Sequence, residues 1–129
     1  MLILGPSGAG KSDLTLRLLN RGFVLIADDQ VDIDHGLATA PNALAGLLEV
    51  RGLGIVRVPH QARAKLRLAV CLTGNGDAPP RMPYPQQHPT LGLPMVHLDA
   101  FAASAPDRVA LALDCALGVV AQHAGAFAA

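Results

Sequence analysis

Runs of apolar residues and alternating stretches follow one another along this chain, and the first change of pattern comes early. Met1-Leu2-Ile3-Leu4 is continuously apolar and predicts a short buried strand. Residues 13–21 carry Leu14, Leu16, Leu18 and Leu19, with Leu14 and Leu18 one helical turn apart. Gly22 stands where a helix C′ residue is expected. Phe23-Val24-Leu25-Ile26-Ala27, apolar throughout and bounded by Gly22 and Asp28, predicts a fully buried strand. Residues 30–36 alternate polar and apolar, which predicts a half-exposed strand turning at Gly36.

Residues 38–45, with Pro41 and Asn42, predict a loop containing a short turn. The run from Leu47 to Val58 is mostly apolar, interrupted by Glu49, the only glutamate, and by arginines. Residues 64–72 alternate Leu66, Leu68, Val70 and Leu72 against Lys65, Arg67, Ala69 and Cys71, and predict one strand of a half-exposed sheet. Residues 73–94 hold Pro79, Pro80, Pro83, Pro85, Pro89 and Pro94, a long irregular connection of the kind that is functional or disordered. Met95-Val96-His97-Leu98 predicts another strand. Ser104-Ala105-Pro106-Asp107 has N-cap spacing with proline in the first turn. Val109, Leu113, Leu117 and Val120 mark one face of a closing helix. Its other face, with Leu111, Cys115 and Val119, is also apolar and fits packing against another subunit. Residues 125–129 are expected to fray.

Between the first strand and the first helix lies Gly5-Pro6-Ser7-Gly8-Ala9-Gly10-Lys11-Ser12, the spacing of a phosphate-binding loop. Glycines let backbone N–H groups approach phosphate oxygens, Lys11 reaches the β and γ phosphates, and the Ser12 hydroxyl suits Mg²⁺. The helix behind the loop turns its positive end to the anion. Asp28 and Asp29 follow the second apolar run. A solvated turn is the ordinary reading of such a pair, but its place after the loop and helix favours function. One carboxylate would serve Mg²⁺ and the other would take a proton from an attacking hydroxyl. Glu49 beside Arg51 reads as an ion pair on a strand edge, although Gly52 and Gly54 suggest close backbone approach to something.

The 129 residues, 51% hydrophobic, predict one domain with a real core, an α/β fold over 1–129. Ten basic and ten acidic residues give zero formal charge, which tells against a nucleic-acid or membrane-surface binder working by charge. Arg51, Arg57, Arg63, Lys65 and Arg67 form a locally basic stretch, ordinarily a solvated face and alternatively a dock for an acidic partner or phosphates. Cys71 and Cys115 stand alone, which fits a reducing, cytoplasmic setting and buried small apolar roles. The five histidines show no metal-ligand spacing. A sequence that runs directly into the phosphate loop is not expected to carry a leader, and residues 109–129, interrupted by Asp114, Gln122 and His123, do not predict a membrane span.

Taken together, the phosphate-loop motif, Asn20-Arg21-Gly22, Ala27-Asp28-Asp29 and Leu48-Glu49-Val50-Arg51-Gly52-Leu53-Gly54 resemble the catalytic domain of HPr kinase/phosphorylase. The last motif is the specific one. The matching motifs cover roughly the first 60 residues, and the short length looks like the truncated alphaproteobacterial form of this kinase. The resemblance implies a single phosphate-loop kinase domain similar to phosphoenolpyruvate carboxykinase, a mixed sheet with flanking helices. It implies an ATP- and Mg²⁺-dependent serine kinase acting on HPr, the phosphocarrier of the sugar phosphotransferase system, and a homo-oligomer, often a hexamer. Residue by residue, Gly5 to Ser12 would hold ATP, with Lys11 on its phosphates and Ser12 on Mg²⁺. Asp29 would be the acid/base residue with Asp28 beside it, Glu49 a second Mg²⁺ ligand, and Arg81 a catalytic arginine. The run from Glu49 to Val58 would line the catalytic centre.

Three departures qualify that pattern. The family's catalytic histidine sits on a strand ahead of the loop, so either the sequence begins after that strand or the strand is missing. The family's late Pro-Gly-Arg-Asn segment is replaced by His97-Leu98-Asp99-Ala100-Phe101, which tells against phosphorylase activity. The closing helix, Ala-rich here, differs from the family helix that helps dock HPr. Two other readings stand beside the kinase: a small-molecule kinase with residues 73–94 as a lid, and a nucleotide-sensing module without chemistry. The 48–54 motif speaks against the first, and the retained Asp28, Asp29 and Glu49 against the second.

Overall fold

The computed structural model describes residues 1–74 and 77–128. In chain order the elements are β1 (Leu2–Leu4), α1 (Lys11–Leu19), β2 (Asp32–Asp34), β3 (Leu37–Thr39), β4 (Leu47–Val50), β5 (Gly54–Arg57), β6 (Arg63–Lys65), β7 (Ala69–Leu72), β8 (Met95–Leu98) and α2 (Ala105–Ala116). A 3₁₀ turn lies at Asn42–Leu44. The fold is α/β with both parallel and antiparallel sheets. Its residues gather into two compact units, Met1–Lys11 with Leu66–Ala129, and Ser12–Lys65.

The first unit is built on a parallel sheet in the order β1-β7-β8. Leu4 pairs with Cys71, and Cys71 in turn with His97, so the three strands end together. Gly5, Thr73 and Asp99 therefore leave the sheet at one carboxyl edge. Ala69, Val70 and Leu72 are buried, as a central parallel strand requires. The expected strand at Met95–Leu98 is present. So is the closing helix, whose Val109 is fully buried. Its start differs from expectation. Ser104 accepts from Arg108 N through its carbonyl, 2.9 Å, but its side chain makes no cap bond. Its backbone, at φ −88° and ψ 8°, is not the extended form that aims a hydroxyl at the first turn. The helix also stops at Ala116, so Leu117 and Val120 lie beyond it and are exposed. In the tail, Phe127 N donates to Gln122 Oε1 at 2.7 Å; Ala129, part of the stretch expected to fray, lies outside the described residues.

The second unit holds α1, the antiparallel sheet β2-β3-β6 and the β4-β5 hairpin. Leu14 and Leu18 are buried on one face of α1. The helix ends as the sequence predicts: Phe23 N bonds to Leu18 O and Gly22 N to Leu19 O, with Gly22 at φ +89°. That double closure is a Schellman cap, and its left-handed residue is the reason for glycine. The half-exposed strand at 30–36 is β2. It turns through His35 and Gly36, both at positive φ, in the two-residue geometry that suits a hairpin.

Two expected strands are corrected. Residues 23–27 form no ladder: only Leu25 pairs, in an isolated parallel bridge with His60, and Val24 is 49% exposed. An apolar run supplies burial, but a strand also needs partners along its length, and among the described residues none pairs with 24 or 26. Residues 64–72 are not one strand but two. β6 pairs antiparallel with β3, whereas β7 pairs parallel with β1 and β8. The alternation is real, with Leu66 and Leu68 buried and Arg67 exposed, but the pairing partner changes in the middle of it.

Candidate functional site

In the first unit, residues 5–10 run from the end of β1 to the start of α1. Ala9 is buried and its N–H donates to Pro6 O at 3.1 Å, which folds the loop back on itself. A Cβ on Gly5 would stand 3.1 Å from Leu72 Cβ and 3.2 Å from Ala9 Cβ, tight enough that the central strand or the loop would have to give way. Gly10 is restricted twice over. Its φ is +94°, and a Cβ there would meet Ala100 Cβ at 3.1 Å and the Phe101 ring at 3.3 Å. Lys11 Nζ donates to Gly5 O at 2.7 Å and to Pro6 O at 3.2 Å, so its ammonium is held over the loop. The carboxyl edge of a parallel sheet is where open α/β folds place ligands, and the loop lies there.

In the second unit, Ser12, Asp28 and the backbone of Glu49 come together. Ser12 Oγ donates to Asp28 Oδ1 at 2.9 Å, and Glu49 N donates to Asp28 Oδ2 at 3.2 Å. Both oxygens of one half-buried carboxylate are thus engaged, which orients it. Asp29 is exposed and takes a left-handed conformation, φ 52°. Aspartate tolerates that region better than most side chains. Gln30 N bonds to Asp28 O, closing a tight bend around Asp29. The aspartates therefore end a bend rather than the predicted strand. Glu49 is exposed on β4, paired with Ile55 of β5. Arg81 is exposed in the proline-rich connection of the first unit.

Among the described residues no group of three or more His, Cys, Asp or Glu side chains could hold a metal. The donor set here, one hydroxyl bonded to one carboxylate, is the kind Mg²⁺ uses, since that ion keeps several waters and takes other ligands from phosphates. Cys71 is half-buried, and that burial pushes its thiol above its ordinary value, which disfavours the reactive thiolate. Among the described residues no helix is long and apolar enough to cross a membrane. Sequence reasoning missed Ala100 and Phe101 as neighbours of the loop. Their signal was available: they follow a parallel strand at its carboxyl end, where ligand sites collect.

The family model described as HPr Serine kinase C-terminal domain matches residues 1–65. The HPr kinase/phosphorylase of Cupriavidus metallidurans is 36% identical over 131 residues, covering 91% of this chain and 40% of the relative. That of Clostridium novyi is 51% identical over 63 residues, 46% of this chain and 20% of the relative. The chain thus spans less than half the length of these relatives. The solved Hpr(Ser) kinase/phosphatase from Coxiella burnetii has the same fold, with a TM-score of 0.73 at 22% identity, covering 91% of this chain and 87% of that one.

Proposed function

This chain belongs to the HPr serine kinase C-terminal domain family, and from that premise we propose that it carries the ATP-binding and phosphoryl-transfer site of a serine kinase acting on HPr. The observation that carries the reading is the bond from Ser12 Oγ to Asp28 Oδ1, one residue beyond a lysine folded over a glycine-rich loop. That is the residue set a nucleotide triphosphate with Mg²⁺ calls for.

The loop from Gly5 to Gly10 would bind the β and γ phosphates through its N–H groups, and Lys11 would exchange its carbonyl partners for phosphate oxygens. Ser12 and Asp28 would hold Mg²⁺, with Glu49 as a further carboxylate. The ion would supply neutralisation of the phosphate charge. Asp29 would accept the proton as the serine hydroxyl of HPr bonds to the γ phosphorus and the bond to the bridging β–γ oxygen breaks, releasing ADP. Its exposure suits a group that must reach an incoming protein. Arg81 would stabilise charge on the transferred group. A cytoplasmic setting and a homo-oligomer, hexameric by resemblance, belong to the same proposal.

The test is transfer of label from γ-labelled ATP with Mg²⁺ to HPr and to an HPr variant lacking the acceptor serine. Label on HPr alone is expected. In Lys11→Ala, ATP affinity should fall about a hundredfold, because a charge-assisted contact is lost. Asp29→Asn should bind ATP yet transfer at least a hundredfold more slowly. ATP bound without label on either protein would overturn the kinase in favour of a nucleotide-sensing module.

A further inference from the structure

Phe101 stands out against the loop it touches. It is a phenylalanine with 60% of its surface exposed, in the segment that leaves β8 at the carboxyl edge of the parallel sheet. Its backbone is fixed, since Phe101 N donates to Asp99 Oδ1 at 2.9 Å. The ring lies beside the loop: Cε1 and Cζ are 3.3 Å from the place a Cβ of Gly10 would occupy. Ala100, one residue earlier, is fully buried and packs at 3.1 Å against the same point. One edge of the ring is therefore seated on the last glycine before Lys11, and the rest faces solvent.

We infer that Phe101 is the stacking platform for the nucleobase of the nucleotide whose phosphates the glycine-rich loop holds. This rests on the nucleotide-binding reading and names the part of the ligand that reading leaves without a partner. A loop of backbone N–H groups and a lysine recognises phosphate alone and has nothing to offer an aromatic base. A base needs a flat apolar surface beside the phosphate site, and an aromatic ring supplies one at small cost in side-chain entropy. Phe101, held at its backbone and seated on the loop with most of its ring open to solvent, presents such a surface beside the phosphate site. Stacking is tolerant of base identity, so Phe101 favours nucleotides over phosphate without choosing strongly among bases.

Calorimetric titration of the wild-type chain, Phe101→Ala and Phe101→Trp with ATP and with tripolyphosphate tests this. Stacking is lost only with the base, so Phe101→Ala should weaken ATP about tenfold while tripolyphosphate binds within twofold of wild type. The chain has no tryptophan, so the indole of Phe101→Trp is a unique reporter. ATP should quench it and tripolyphosphate should not. If Phe101→Ala weakens both ligands equally, or neither, or if the indole does not respond to ATP, the assignment is overturned. If the wild-type chain binds neither compound, the phosphate-loop reading itself fails and takes this inference with it.

Discussion

Asp28 shows how much a single carboxylate can organise. It takes one hydrogen bond from a hydroxyl on α1 and another from the backbone of β4, and so ties the start of the helix to the hairpin within the second unit. Residue types alone leave the two adjacent aspartates unranked, and only the family resemblance puts Asp29 forward as the acid/base residue; the backbone gives the two different surroundings. Asp28 is engaged through both oxygens, whereas Asp29 is turned out at φ 52° and left exposed. Replacing Asp28 by alanine leaves the Ser12 hydroxyl and the Glu49 N–H without this acceptor. A loss of about 1–2 kcal/mol in urea unfolding is expected. Asp29→Asn keeps a side chain that tolerates this exposed left-handed position and should cost less. Equal losses in the two variants would show that the Asp28 bonds do not matter to the fold. The glutamate tells a different story. Its carboxylate was the feature visible in the sequence, but its backbone N–H is what the structure places on Asp28, and no pattern of side chains announces that.

At the scale of elements, the glycine-rich loop was legible in full and two strands were not. The loop is local: its spacing, the apolar run before it and the helix behind it lie within 22 residues, including the cap at Gly22. Strand pairing is not local. The run at 23–27 is as apolar as β1, yet β1 finds β7 while 23–27 finds only His60. Likewise the even alternation of 64–72 hides a change of partner between β6 and β7, because alternation reports burial and says nothing of which strand is next door. What the loop tolerates follows from its surroundings. Gly8 has φ +82° and open space, so Gly8→Ala meets backbone strain alone, about 1 kcal/mol. Gly10→Ala adds tight contacts with Ala100 and the Phe101 ring and should cost more, about 2 kcal/mol. Urea midpoints of the two variants check the ordering, and equal values would remove the packing argument.

For the whole molecule, balanced charge has a direct consequence. Ten basic and ten acidic residues give no net repulsion between copies at pH 7, while Leu53, Ile55, Tyr84 and Val119 are each at least 70% exposed. Solubility should therefore pass through a minimum near neutral pH and rise as the pH moves two units either way, measured by light scattering at fixed salt. A flat profile would mean that self-association is not governed by net charge. The sequence by itself determined the α/β class, the glycine-rich loop with Lys11 and Ser12, the helix end at Gly22 and the family, because each is written in neighbouring residues whose types have few other uses. Only the tertiary structure decided which strands pair, which aspartate is held and which is offered, and that Phe101 rests on Gly10. Those contacts join residues far apart in the chain, where many pairings bury the same apolar surface and only the folded backbone selects one.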